Sequence, residues 1–430
     1  MKKKSLIIIL ILILIIALVI SQKSNIIKIT QTLKIQMYGE PIAGDGTINN
    51  KYFGIDYENY SATTKGLNDV VSYANKNGIE YIKLEKNTYT VNDSIYLKDN
   101  IELDLNGSTI QYATNSKINY AIFRINNVEN VKVKNGFLIG DRETHDYDSV
   151  NSTHEWGVGV NIRSSKNVEI GGLQISQMTG DGIYIAQDEN KKYEAASENV
   201  KIYNCNIREN RRQGISIICG KNIEIFDNEI HTIDGTAPKS GIDCEANYDY
   251  EICENIKIYR NKIYNINNIS IVLTQNISNV QIFENELEGR FLVNEERNEL
   301  IISDNIIKNG NFQIITSKSK IDKGHYINKI KINNNTFYNS DLLFRRNNDI
   351  ELENNTINNG VITVQSSNAK IYGNKISNET PKLYVYNFEK YTGDNYDDES
   401  RYKIYMKNNS KIGKYVNEYV NAEFVDIINE

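Results

Sequence analysis

The sequence predicts an all-β chain wound as a right-handed parallel β-helix, and three observations carry that prediction. A short apolar–polar–apolar pattern recurs along most of the 430 residues. An asparagine stands at one fixed position of that repeat. A helical stripe precedes the first copies, where the open end of a coil needs a cover.

Successive copies of the repeat read Asn130-Val-Lys-Val, Asn167-Val-Glu-Ile, Asn199-Val-Lys-Ile, Asn222-Ile-Glu-Ile, Asn255-Ile-Lys-Ile and Asn279-Val-Gln-Ile, with less complete ones at Leu300, Ile330, Ile350 and Ala369. From Val168 onward they are spaced by 32, 23, 33, 24, 20, 30, 20 and 19 residues. A unit of about 20 to 24 residues with loop insertions describes them all, which is the range of solenoid coils. Such a unit is too short for a strand plus a full helix. Its apolar residues alternate with period 2, the mark of short strands.

Five residues after the first apolar residue of each copy comes Asn228, Asn261, Asn285, Asn305, Asn335, Asn355 and Asn374, with Cys205 taking that place in the coil from Val200. AT-rich coding explains abundant asparagine but not this register. Equivalent residues of stacked strands lie about 4.8 Å apart, so the amides can bond up and down the stack. Asparagine also tolerates the left-handed turn a corner needs. The expected product is an asparagine ladder.

Leu67, Val70, Val71 and Ala74 follow an i, i+3, i+4, i+7 stripe with Gly78 as the stop, which predicts an N-terminal capping helix. Lys2 to Lys4 precede the apolar run Leu6 to Ile20, so residues 1–21 read as a signal peptide or a membrane anchor. The run is short of the roughly 20 residues of a spanning helix. Val19 and Ser21 offer a weak cleavage site, so both fates stay open, and either places the remainder outside the cytoplasm, at the cell surface or secreted. Residues 22–60 are expected as a spacer, 61–380 as the β-helix, and the aromatic, charged stretch 381–430 as a C-terminal cap.

A net charge of −6 argues against a nucleic-acid partner. Cys205, Cys219, Cys244 and Cys253 lack the spacing of a zinc site and read as core residues. His231 and His325 are isolated and read as surface or turn residues.

A second register marks a different face. Gly159-Val-Asn-Ile, Gly182-Ile-Tyr-Ile, Gly214-Ile-Ser-Ile and Gly241-Ile-Asp-Cys are strands opening on glycine. Their alternate residues point outward, which brings Asp181, Tyr184, Asp243 and Glu245 onto one solvent-facing wall, with Arg211 and Arg212 at its mouth. Upstream lies the longest unrepetitive stretch, Asp141 to Trp156, with Asp141, Arg142, His145, His154, Glu155 and the single tryptophan. Insertions 187–199 and 231–240 are expected to wall a groove. Candidate catalytic residues are Asp181, Asp243, Arg212, Glu155 and His145. Candidate substrate-binding residues are Asp141, Arg142, Trp156, Tyr184, Arg211 and Glu245. Any one outward charge is more often simply solvated; it is their concentration, unmatched after residue 280, that marks the wall. Facing carboxylates suit glycoside hydrolysis. Carboxylates beside arginine suit Ca²⁺-assisted β-elimination from a uronic acid, where Ca²⁺ takes hard oxygen ligands; no other cofactor is indicated, and Ca²⁺ only for a lyase.

The runs Ile139 to His145, Thr153-His-Glu-Trp-Gly-Val-Gly159, Asp181-Gly-Ile and Asn210-Arg-Arg-Gln-Gly-Ile-Ser-Ile217 resemble the pectate-lyase-superfamily β-helix proteins, in particular phage tail-spike depolymerases and bacterial surface proteins. Ala62-Thr-Thr-Lys-Gly-Leu-Asn-Asp and Leu103-Asp-Leu-Asn-Gly-Ser-Thr-Ile110 resemble the capping helix and first coil of that group. The resemblance runs over roughly residues 60 to 260. It implies a carbohydrate site around Asp141, Arg142, His145, Glu155, Asp181, Arg211, Arg212 and Asp243. The signatures of true pectate lyases and polygalacturonases are not matched, so no reaction type carries over. Three functions follow as expectations: a polysaccharide-degrading hydrolase or lyase, a non-catalytic glycan-binding surface protein, or a uronate epimerase. The expected partners are polysaccharide and, through the N-terminus, a membrane.

Overall fold

The computed structural model describes residues 20, 22–23, 26–191, 195–294, 299–316, 329–347, 349–377, 383–386, 402–412 and 425–429. The repeat winds into a parallel β-helix with three faces. On the first, Val200 pairs with Ile223, and the column continues through Ile256, Val280, Leu300, Ile330, Ile350, Ala369 and Ile404. After a corner, Ile207, Ile230, Ile263, Leu287, Ile307, Phe337, Ile357 and Ile376 stack on the second. Val160, Ile183, Ile215, Ile242, Ile271, Phe291, Phe312, Leu342 and Ile362 stack on the third. The first two faces share a 25-stranded sheet and the third forms a 12-stranded one. All three columns point inward and merge into one aliphatic core, as period-2 alternation requires.

The asparagine ladder stands at the corner between the first two faces. From Asn228 to Asn374 each Nδ2 donates to the Oδ1 of the next asparagine at 2.9 to 3.1 Å. The last acceptor is Asn409, one step beyond the predicted set. Cys205 ends the ladder by donating its backbone N–H to Asn228 Oδ1 at 2.9 Å. Asn305 accepts from the backbone and side chain of Asn285 and donates to Ile282 O. Asn305→Ala is therefore expected to cost about 1 to 3 kcal/mol, the penalty of unsatisfied buried polar groups. Unfolding midpoints of Asn305→Ala and Asn335→Ala that both match the parent would rule this out.

A second ladder runs along the exterior. Asn100, Asn130, Asn167, Asn199, Asn222, Asn255 and Asn279 have φ of 53° to 58° and are linked Nδ2 to Oδ1 at 2.6 to 3.0 Å. These asparagines precede the apolar triplets. Their recurrence is plain in the sequence, and its cause is a left-handed residue before each strand.

The capping helix spans Tyr60–Lys76, with Asn59 accepting from Ala62 N at its start. It buries Leu67, Val70, Val71 and Ala74 over the first coil, and Gly78 follows at φ 68°. Two boundaries differ from expectation. Ile48, Tyr52, Phe53 and Ile55 fall within the expected spacer but are buried in the capping layer. Past residue 380, Leu383–Tyr386, Tyr402–Lys407, Ser410–Ile412 and Val425–Asn429 continue the parallel stack instead of closing it. Alternating apolar residues persist there with irregular spacing, which hid the coil. The rest of 381–430 and nearly all of the expected signal or anchor segment lie outside the described residues. Among the described residues, no helix is long and apolar enough to cross a membrane.

All four cysteines are buried thiols. His231 is no turn residue: it lies in the strand Glu229–Ile233 with its ring stacked 4.9 Å from Tyr264. His325 lies outside the described residues.

Candidate functional site

The third face carries the site. Its strands Trp156–Arg163, Asp181–Ala186, Gln213–Ile217 and Ser240–Glu245 align Asn161, Tyr184, Ser216 and Asp243 in one outward row. Asp181, Gln213 and Ser240 form a parallel row three residues earlier. The glycine at the start of these strands is a packing requirement: a Cβ on Gly214 would sit 2.4 Å from Gly241 O.

A continuous polar chain links the rows. Arg212 Nη1 donates to both oxygens of Asp181, at 3.2 and 2.9 Å. Ser216 Oγ donates to Asp181 Oδ2 at 2.8 Å and also contacts Gln213 Oε1. Gln213 Nε2 donates to Asp243 Oδ2. Over this chain lies Trp156, 36% exposed, with the Arg212 guanidinium 5.4 Å from its ring and Tyr184 edge-on at 6.1 Å. Glu155 Oε2 is 3.9 Å from Arg212 Nε. Glu245 is half-buried, two residues beyond Asp243 on the same side of the strand.

The wall is outward but not solvated, which corrects the sequence expectation. Asp181 and Asp243 are each 1% exposed and Tyr184 is 5% exposed. Arg212 and Trp156 fold across them, and the insertion 231–240 is tied down beside them where Thr236 N donates to Arg211 O at 2.7 Å. Alternation along a strand tells which side a residue takes. It does not tell what covers that side.

Burial has electrostatic consequences. Burial, and then the charge of Glu245, push the Asp243 carboxyl up to about 7, against the pull of Arg212. Asp243 Oδ1 is buried without a hydrogen-bond partner among the described residues, as is Arg212 Nε. Burial also pushes Asp181 up, while Arg212 and Ser216 hold it down. The carboxylates thus divide into one that keeps its proton near neutrality and one locked to a cation.

The upstream loop is built differently from the expectation. Asp141 accepts from Tyr120 OH at 2.7 Å and from Asn115 Nδ2 at 2.8 Å, and His145 Nδ1 lies 2.8 Å from its Oδ2. His145 Nε2 lies 2.8 Å from His154 Nδ1, and His154 Nε2 lies 2.7 Å from Val150 O. Tyr120, Asp141, His145 and His154 are buried, so His145 and Asp141 face each other instead of the groove. Arg142 Nη1 donates to Glu209 O and Arg211 Nη1 to Thr153 O, both at 2.8 Å. Arg211 also lies 4.8 Å over Tyr147. These arginines staple the loop to the coils beneath it.

The structure therefore brings together Asp181, Arg212, Asp243, Glu155, Trp156, Tyr184 and Glu245. Sequence reasoning passed over Gln213 and Ser216, although they occupy the Asp181 and Tyr184 positions of the next coil. It also passed over Arg163, which lies 5.2 Å over Tyr184. Among the described residues no group of three or more His, Cys, Asp or Glu side chains is arranged to hold a metal ion. Asp181 is already committed to Arg212, so the wall does not fit the Ca²⁺ considered for a lyase.

Comparison with known proteins agrees with this fold. Residues 82–252 match the family described as "Right handed beta helix region". In Bacillus subtilis (strain 168) the uncharacterized protein YclG is 27% identical over 368 residues, covering 77% of this chain and 62% of the relative. The SPbeta prophage-derived uncharacterized protein YorA is 31% identical over 207 residues, covering 43% and 35%. The chain thus spans less than two thirds of either relative. Among solved structures, the Streptococcus pneumoniae surface protein and adhesin PfbA aligns with a TM-score of 0.61 at 16% identity, covering 88% of this chain and 99% of that one. The Azotobacter vinelandii mannuronan C-5 epimerase AlgE6 A-module aligns at 0.55 and 13%, covering 88% and 98%. The tailspike of E. coli bacteriophage HK620, in complex with a pentasaccharide, aligns at 0.55 and 12%, covering 88% and 77%.

Proposed function

From a right-handed parallel β-helix with a walled, acid-bearing third face, we propose an extracytoplasmic enzyme that cleaves polysaccharide on that face. The observation that carries this reading is Asp243, a carboxyl that keeps its proton up to about pH 7 beside a second acid, Glu245. Glycoside cleavage needs such a division: one acid protonates the leaving oxygen, and an ionised partner activates water or attacks the sugar. Asp243 takes the first role and Glu245 the second. Trp156 offers a ring face to a sugar, with Glu155 beside it. The charge of Arg212, held beside Trp156, favours an anionic sugar at this wall. Asp181 is a positioning residue that holds Arg212 in place. The pentasaccharide-bound tailspike and the epimerase support a glycan as ligand. The N-terminal apolar run supports location at the cell surface or export.

The near-complete burial of Asp181 and Asp243 favours a second reading, a surface protein that binds glycan without cutting it. One experiment separates the two. The full-length protein is incubated with a panel of cell-wall and capsular polysaccharides, and new reducing ends, unsaturated-uronate absorbance and bound glycan are measured. New reducing ends are the expected outcome. Reducing ends with absorbance would indicate elimination, altered uronate configuration without cleavage would indicate epimerisation, and binding alone would establish the second reading. Neither product nor binding on any polymer would refute both.

A further inference from the structure

We infer that the helix at residues 26–38 lies flat on an anionic lipid bilayer and seats the capped end of the β-helix on the membrane surface. One edge of this helix rests on the protein: Ile35 packs against the core, and Lys34 Nζ donates to Tyr52 O at 3.2 Å. The opposite edge is exposed: Ile29 is 60% exposed, Leu33 55% and Met37 70%. Their spacing of 4 residues confines them to one narrow stripe at helical periodicity, opposite Ile35. A continuous apolar stripe left in water marks a surface with a partner.

Lipid is the partner that fits this stripe. Residues 22–39 carry Lys23 and Lys28 besides the protein-bound Lys34, and no acidic residue, so the segment is basic as well as amphipathic, the composition of an interfacial helix. In the sequence it also follows the apolar run Leu6 to Ile20 after only five residues. Its other faces carry Lys28, Thr30, Gln31, Thr32, Lys34 and Gln36, and one edge is docked on the capping layer, an arrangement that a hydrocarbon core does not accommodate. The helix therefore lies in the interface instead of crossing it. Five coil steps separate the strand at Tyr81 from the coil bearing Asp243, so the glycan groove stands about 25 Å along the rod from its capped end.

The test uses the full-length chain reconstituted into vesicles of phosphatidylethanolamine and phosphatidylglycerol at three to one. Trp156, the single tryptophan, is replaced by phenylalanine so that one introduced tryptophan reports position. Leu33→Trp and Met37→Trp are each expected to lose more than half their fluorescence when the lipids carry brominated acyl chains. Gln31→Trp, on the flank that turns toward the protein, is expected to lose less than a fifth. Two reporters on the stripe guard against one of them disturbing the fold. Unquenched fluorescence at both, with the protein still in the vesicle fraction, would overturn the inference. Stripe-to-stripe cross-linking between copies without quenching would also overturn it, because a second copy would then be the occupant.

Discussion

Asp243→Asn is expected to lose at least about 100-fold in polysaccharide cleavage, the worth of a positioned acid, while melting higher than the parent at pH 8. Both effects come from the same proton. In the folded chain burial and Glu245 raise Asp243 from 3.8 to about 7. Between those two values the folded state keeps a proton that the unfolded state has released. Stability conferred by that proton is complete below the unfolded value and is lost as pH rises through the folded one. The slope is about 1.4 kcal/mol per pH unit, and the accumulated loss by pH 8 is of order 4 kcal/mol. Asparagine has the same shape and cannot ionise, so its variant escapes the loss. Thermal unfolding at pH 5 and pH 8 checks this: the parent's midpoint should fall across the interval and the variant's should stay nearly flat. Equal pH dependence in the two proteins would show that Asp243 titrates like an ordinary surface carboxyl. Parent-like activity in the variant would move the acid elsewhere, with Glu155 the next candidate.

Asp181→Asn is expected to destabilise the fold by about 3 to 5 kcal/mol, the cost of removing one partner of a buried ion pair. Arg212 makes its charged hydrogen bonds to Asp181 and is itself largely covered, with a side chain 14% exposed. An asparagine there removes the hydrogen-bonded counter-charge and leaves the guanidinium only the more distant Glu155, at 3.9 Å. Arg212→Met in the same background should recover much of the loss, because it removes the stranded charge and keeps an unbranched stem over Trp156. Denaturant unfolding of the two single variants and the double variant gives the coupling directly. Additive costs would mean that the pair is solvated and that the outward wall is open after all.

How much of the site could be read beforehand depends on which residues are considered. Asp181, Arg212 and Asp243 were legible because they recur at matched offsets in strands whose register the glycines announce. Gln213 and Ser216, which join them, are equally in the outward register but carry no charge to mark them as candidates. His145 and Asp141 drew notice as an acid and a histidine close together, and the structure turns them on each other. Composition near a groove cannot separate side chains that face a ligand from side chains that close the loop holding it.

The sequence by itself determined the β-helix, its inward columns, the asparagine corner and the helical cap. Each of these is a property of one coil repeated: period-2 burial, a left-handed residue at a fixed offset, and a stacking distance that any backbone imposes. Only the tertiary structure decided that the coils continue past residue 400, since Asn409 and the strands there pair across irregular spacings. It alone decided that Asp181 and Asp243 are covered, because the cover comes from Arg212, Trp156 and an insertion with no counterpart in neighbouring coils. A repeat transmits its geometry from coil to coil, so one copy predicts the next. An insertion takes its path from contacts distant in sequence, and burial, the shifted proton of Asp243 and the chemistry that follows are set by those contacts.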